Sequence, residues 1–306
     1  MATLSNLKYP CLSLDDASLW KPSKYSGQVI KIQYHTNWYS GDKATPLKKP
    51  ICIYVPYNYD PLNEYNVMVL LPGMDMPYSC YLSRAHRYSR ELYSVQFQYV
   101  LDNLIARGEI EPLILVTLPY YGATIEGHPV MELDGNQLIH ELRNDLLPYM
   151  IQNYSTFAKG TDSLSISKAR DHFGIFGFSY TSTMIPKYIM PNCLDLFSWF
   201  GASSIFHSDL TSSIKTVAEN QTQYPISYFY AGCGDSDNAY SQTKEMYKTF
   251  CDNVPDLYKK SELVVLPNTG HDARTYDTAI INCLLKFFSP EKQISIGKES
   301  CNYVST

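Results

Sequence analysis

No stretch of this 306-residue chain approaches the roughly 20 consecutive apolar residues that a membrane-spanning helix needs. The best candidates, residues 66–72 and 112–119, are short and end at prolines, so they read as buried strands and no membrane is expected as a partner. A basic surplus is also missing. Twenty-five Lys and Arg against 30 Asp and Glu leave a formal net charge of -5, which argues against nucleic acid, whose binding rests on neutralising phosphates. No C-x-x-C pair and no Cys/His cluster of zinc-like spacing occurs, so neither a metal nor another cofactor is implied. Charged residues are scarce at 18% and apolar ones make up 45%, which excludes a disordered chain. Internal repeats, low-complexity tracts and Pro/Gly/Ser-rich linkers are absent, so one domain is expected. Met1-Ala2-Thr3 opens no basic segment followed by an apolar one, so no secretory leader is visible. The chain is then expected to be intracellular, or to have lost its leader.

What is plentiful is tyrosine, with 27 copies against 12 Phe and 3 Trp. Tyrosine joins a flat apolar ring to a hydrogen-bonding tip, which suits a surface that holds sugars or phenolic rings, although compositional drift would give the same count. The eight cysteines are Cys11, Cys52, Cys80, Cys193, Cys233, Cys251, Cys283 and Cys301. An even count permits disulfides, yet Cys52 and Cys283 sit in apolar periodic segments that suit buried thiols. N-x-S/T triplets at Asn153 and Asn220 are compatible with secretion.

The apolar pattern alternates strands with helices. Residues 28–35 and 51–56 are expected to form an opening β-hairpin with a polar linker at 36–50. Further strands are predicted at 66–72, 113–118, 173–178, 196–202, 226–231 and 262–266. A helix is expected to carry Phe97, Val100, Leu101, Leu104 and Ile105 on one face. A second carries Leu138, Leu142, Leu146 and Met150, with Pro148 bending its far end. Helices are also expected after Ser179 to Met190, at 239–250 and at 275–288, with 207–224 a polar surface excursion. Strand-helix alternation implies βαβ units in a doubly wound, mostly parallel sheet. Ligands bind at the carboxyl edge of such sheets.

Ile175-Phe176-Gly177-Phe178-Ser179-Tyr180-Thr181 sets a serine between a buried strand and a helix, which is the setting of a nucleophile elbow. The usual pattern is G-x-S-x-G, and here the last position is Thr181. The same cluster of Ser179, Thr181, Ser182 and Thr183 would also serve as a plain helix N-cap. An α/β hydrolase needs an acid after a later strand and a histidine after the next, in the order Ser, Asp, His. The loop after 226–231 offers Asp235 and Asp237, and the loop after 262–266 offers His271. The other six histidines fit that order less well. Such a histidine takes the serine proton, and the carboxylate fixes its tautomer. Either aspartate suits on position alone.

From about residue 28 to residue 288, the chain resembles the feruloyl (cinnamoyl) esterase modules attached to xylanases, in the first family of carbohydrate esterases. The resemblance is carried by ICIYVPYNYDP and NVMVLLPG, by VLDNLIARGEIEPLILVT, by LRNDLLPYMIQNYSTFA, by GFSYTSTMIPKYIMPNCLDLFSWF, and by GDSDNAY and NTGHD. It implies a single-domain α/β hydrolase with a core at about 28–288 and peripheral tails at 1–27 and 289–306. It also implies Ser179 as nucleophile, His271 as base and Asp237 as acid, with the backbone N–H groups of Met74 and Tyr180 as the oxyanion hole. The implied substrate is a hydroxycinnamate such as ferulate, esterified to plant cell-wall arabinoxylan, and the implied location is outside the cell. Tyr78, Tyr120 and Tyr121 would hold the acyl group or the sugar. The chain departs from the family at Pro72-Gly73-Met74-Asp75, where His-Gly and further glycines are usual, and at Thr181. Acetyl-xylan ester hydrolysis is the rival within catalysis. A catalytically degraded hydrolase that binds carbohydrate or protein is the rival outside it.

Overall fold

The computed structural model describes residues 16, 18–40, 43–73, 82, 86–88, 91–93, 97–119, 124–125, 128–129, 135–206 and 208–289. Its frame is an eight-stranded sheet in the order β1-β2-β4-β3-β5-β6-β7-β8. The strands are β1 (Gln28–Ser40), β2 (Lys43–Val55), β3 (Asn66–Leu71), β4 (Leu113–Thr117), β5 (Phe173–Phe178), β6 (Trp199–Ser203), β7 (Tyr228–Gly234) and β8 (Ser261–Leu266). β1 and β2 are antiparallel and β2 meets β4 antiparallel, while every pairing from β4 to β8 is parallel. This is the α/β hydrolase arrangement, a mostly parallel sheet with an N-terminal hairpin.

Parallel strands need crossovers, and these put helices on both faces. The strand residues divide accordingly. Val67, Val69, Leu71, Phe173 and Ile175 pack in one buried cluster with Leu138, Leu142, Leu146, Met184, Ile189 and Phe250. Met68, Leu70, Phe176 and Phe178 pack in the other with Phe97, Val100, Leu101, Leu104, Ala279 and Ile280. The helix α1 (Phe97–Ala106) therefore lies on the second face, with the apolar stripe its sequence predicts. α7 (Ala273–Lys286) lies beside it, and Asp272 caps α7 by accepting from the N–H groups of Arg274 and Thr275. No helix among the described residues is long and apolar enough to cross a membrane.

The hairpin is longer than its sequence suggests. β1 and β2 pair through 36–40 and 43–50, where a polar linker is predicted. The reason is that β4 pairs with β2 only at Cys52, Ile53 and Tyr54. Among the described residues β2 has no further strand pairing beyond them except with β1, so Pro46 and Pro50 need no second ladder partner. The helix predicted over 138–150 runs from 135 to 153 as α2, in the segments Gly135–Glu141, Leu142–Leu146 and Leu147–Asn153. Its middle segment is a π turn, in which the Leu147 N–H reaches back to the Leu142 carbonyl. Pro148 cannot donate to the preceding turn, and the wider turn absorbs that loss in place of a simple bend. β6 and β7 begin at Trp199 and Tyr228, later than predicted. α3 (Ser163–Lys168) is additional to the predicted elements. The polar excursion at 207–224 contains the helix α5 (Thr211–Asn220).

Cys52, Cys193, Cys233, Cys251 and Cys283 are buried free thiols, as expected for Cys52 and Cys283. One buried charge pair ties the hairpin to α2. Lys49 of β2 lies 2.7 Å from Glu141, both side chains are almost fully enclosed, and Lys49 also donates to the Pro119 carbonyl at 3.1 Å. A broken buried pair leaves an uncompensated charge. Lys49→Met should therefore cost about 3–5 kcal/mol in urea unfolding, and adding Glu141→Leu should recover most of it. A single variant as stable as the parent would show that Glu141 is not held as an ion.

Candidate active site

The carboxyl edge of the parallel strands gathers the predicted residues. Ser179 follows β5 and precedes α4, residues 180–192, whose first segment is Tyr180–Met184. Its backbone stands at φ 58 and ψ -124, a conformation uncommon for a residue with a side chain. The turn is close-packed. A Cβ at Gly177 would lie 2.5 Å from the Thr181 carbonyl oxygen, so a glycine is required two residues before the serine.

The Ser179 hydroxyl lies 2.8 Å from His271 Nε2. His271 Nδ1 lies 3.1 and 3.2 Å from the two carboxylate oxygens of Asp237. The Asp237 side chain is fully enclosed, whereas that of His271 is 22% exposed and therefore reachable. Burial would push the Asp237 carboxyl up. Hydrogen bonds from His271, Ser204 and the Ala239 N–H outweigh it and hold the group below its ordinary value. The rings of Phe178 and Phe206 flank the imidazole at centroid distances of 5.1 and 5.5 Å.

The two aspartates divide their roles. Asp235 is exposed and accepts the Asn268 N–H at 3.0 Å, so it clamps the histidine loop from outside without reaching the imidazole. That hydrogen bond also holds its carboxyl below the usual range. The two loops press together, because a Cβ at Gly234 would lie 2.1 Å from the Thr269 carbonyl oxygen.

Thr181, the departure from G-x-S-x-G, is absorbed by its hydroxyl. Thr181 Oγ1 accepts the Phe178 N–H at 3.1 Å and shares its own proton between the carbonyls of Leu71 at 2.8 Å and Phe178 at 2.9 Å. It therefore fastens the elbow to the end of β3. Ser182 does the same on the other side, with its hydroxyl 2.5 Å from the Ser179 carbonyl and 3.0 Å from that of Ser204. The predicted N-cap cluster thus ties the elbow to neighbouring strands, and the Ser179 side chain makes no cap bond.

Tyr180 opens α4, where backbone N–H groups point out of the helix end. Met74, Tyr78, Tyr120 and Tyr121 lie outside the described residues. Ser204 and Phe206 have no motif to mark them, and Ser182 is marked only as a member of the N-cap cluster. The usable signal for Ser204 is positional, a serine just past the end of the strand between the elbow strand and the acid strand.

An eight-stranded sheet with serine, acid and histidine after β5, β7 and β8 defines an α/β hydrolase. Within that class the chain is similar to feruloyl esterase modules, as its motifs imply. No family model matches it. It is 30% identical over 234 residues to endo-1,4-beta-xylanase Y of Acetivibrio thermocellus, in an alignment covering 73% of this chain and 19% of the xylanase. The chain thus spans about a fifth of that curated relative's length. The feruloyl esterase module of Clostridium thermocellum, solved with sinapinate, superposes with a TM-score of 0.71 at 25% identity, covering 90% of this chain and 92% of that one. A ferulic acid esterase of Anaeromyces mucronatus, solved with ferulic acid, shares the fold at a TM-score of 0.65 and 20% identity, covering 90% and 96%.

Thr181→Val keeps the shape of the side chain and removes its hydroxyl, which leaves the Phe178 N–H buried without an acceptor. A loss of about 1–3 kcal/mol is expected in thermal or urea unfolding, with Thr181→Ser near the parent. Equal stability of the valine and serine variants would deny the hydroxyl this role.

Proposed function

We propose that this chain is a serine carboxylic-ester hydrolase that releases hydroxycinnamates, such as ferulate, from plant cell-wall arabinoxylan outside the cell. The observation that carries the catalytic part is the continuous hydrogen-bonded chain from the Ser179 hydroxyl through His271 to the enclosed Asp237. The similarity to a feruloyl esterase module and to a xylanase supports the substrate class.

In this mechanism the Ser179 hydroxyl donates to His271 Nε2, and the Asp237 carboxylate accepts from Nδ1–H. Ser179 Oγ attacks the ester carbonyl carbon as its proton passes to His271. The oxyanion that forms is bound by backbone N–H groups, which we assign to Tyr180 and Met74. The carbon–oxygen bond to the sugar breaks, and the leaving oxygen takes the proton from His271. The acyl group stays on Ser179. Water then gives a proton to His271 and attacks the acyl carbon; the bond from that carbon to Ser179 Oγ breaks, Oγ takes the proton back from His271, and the hydroxycinnamate leaves. Asp237 stays ionised throughout, which its hydrogen bonds favour.

The deciding experiment compares methyl ferulate with acetylated xylan. Turnover of the first and not the second supports the reading, and the reverse assigns the chain to acetyl release. Binding of polysaccharide without turnover of either ester identifies a degraded hydrolase. Ser179→Ala and His271→Ala should each lower kcat on the order of 10⁶-fold, with the double variant little worse, because residues acting as a unit are not additive. Additive losses would separate the two residues.

Asp237→Asn should cost about 10⁴-fold by favouring the wrong histidine tautomer. Asp235→Asn should cost far less, since it loosens only the clamp on the histidine loop. The opposite ranking in steady-state kinetics would move the acid to Asp235.

A further inference from the structure

We propose that Ser204 is a positioning residue of this site, holding the Asp237 carboxylate in the plane that faces His271. The inference rests on the reading of Ser179, His271 and Asp237 as the catalytic set. Ser204 lies just past the end of β6, the strand between those that deliver Ser179 and Asp237.

A carboxylate turns easily about its last bond, where the rotational wells are broad. Asp237 is held at both oxygens by a separate donor. The Ala239 N–H donates to Oδ1 at 2.8 Å, and the Ser204 hydroxyl donates to Oδ2 at 2.5 Å. With both oxygens pinned, the Nδ1 of His271 meets them almost symmetrically, at 3.1 and 3.2 Å. The Ala239 bond alone leaves rotation about its own axis open, and the Ser204 bond closes it. The hydroxyl is fixed in turn, because Ser204 is fully buried and its N–H is bound to the Gly232 carbonyl at 2.7 Å.

The backbone of Ser204 strengthens the case. It stands at φ 60, where glycine sits without strain and a side chain costs free energy. A serine at a buried glycine-type position is accounted for by what its hydroxyl does, and here the hydroxyl meets the acid. The Ser204 carbonyl also faces the Ser182 hydroxyl, which lies against the Ser179 carbonyl. One hydroxyl thus joins the backbone of the nucleophile to the backbone of the residue that holds the acid.

The test uses Ser204→Ala and Ser204→Gly, each alone and combined with Asp237→Ala, with kcat and KM measured on a chromogenic acyl ester. Both single variants should lose about 10- to 100-fold in kcat, the size of one hydrogen bond to an ionised group, with KM within about twofold. In the Asp237→Ala background the same substitutions should cost less than about threefold, because the group Ser204 holds is gone. The glycine variant keeps the test valid if the alanine variant folds poorly, since glycine relieves the strain at φ 60. Recovery of activity in the glycine variant alone would assign the effect to the backbone and overturn the proposal. Equal losses in both backgrounds, or no loss in either, would overturn it as well. Turnover that survives Ser179→Ala would instead sink the catalytic reading on which the proposal rests.

Discussion

The left-handed backbone of Ser179 is the constraint around which the rest of this structure is arranged. A residue with a side chain persists in that region only where its surroundings over-determine it, at a cost of order 1–3 kcal/mol. Here the surroundings come from three neighbours. The Ser179 N–H is bound to the Ser203 carbonyl at the end of β6. Thr181 fastens the turn to β3, and Ser182 fastens it to Ser204. The central place of β5 in the sheet is what makes this possible, since a strand at an edge would lack one of the two flanks. The strain is useful because it lifts the hydroxyl clear of the sheet, where an imidazole delivered by β8 can meet it.

Parts of this arrangement could be read directly from the chain. β3 and β5 are nearly continuous apolar runs, and a strand buried on both faces has to be one. Their observed limits fall within one residue of those expected. The position of Ser179 could be read because it follows such a strand, that of His271 because it lies in the loop after the last predicted strand, and Asp237 was separated from Asp235 by family resemblance. The hairpin could not be read, since Pro46 and Pro50 are turn residues unless one edge of β2 is known to be free. Neither could the contact of Ser204, whose partner Asp237 lies 33 residues along the chain. Local sequence carries propensity and period, whereas partnership across strands belongs to the sheet order.

The departure from the G-x-S-x-G pattern at Thr181 has a physical sense. A glycine two residues after the nucleophile relieves crowding by removing atoms. Thr181 instead brings an atom that bonds. Its hydroxyl takes up the Phe178 N–H and reaches the Leu71 carbonyl, so the turn gains a tie to β3. The close packing of the turn is felt at Gly177, over which the backbone of Thr181 and Ser182 closes. The segment just after Leu71 is where a second oxyanion donor is proposed, so this tie bears on the loop that would carry it.

The five buried thiols among the described residues give the molecule a built-in set of reporters. Cys193 and Cys251 belong to one apolar layer, and Cys52 and Cys283 belong to the other. Burial pushes these thiols up, to about 11 for Cys52 and Cys251 and about 12 for Cys193 and Cys233. A thiol that is both enclosed and protonated reacts only when its layer opens. Alkylation under native conditions, followed cysteine by cysteine, would therefore time the opening of the two layers separately. The sheet between them acts as a partition, and the order in which its sides become reactive would reveal which side of the protein comes apart first.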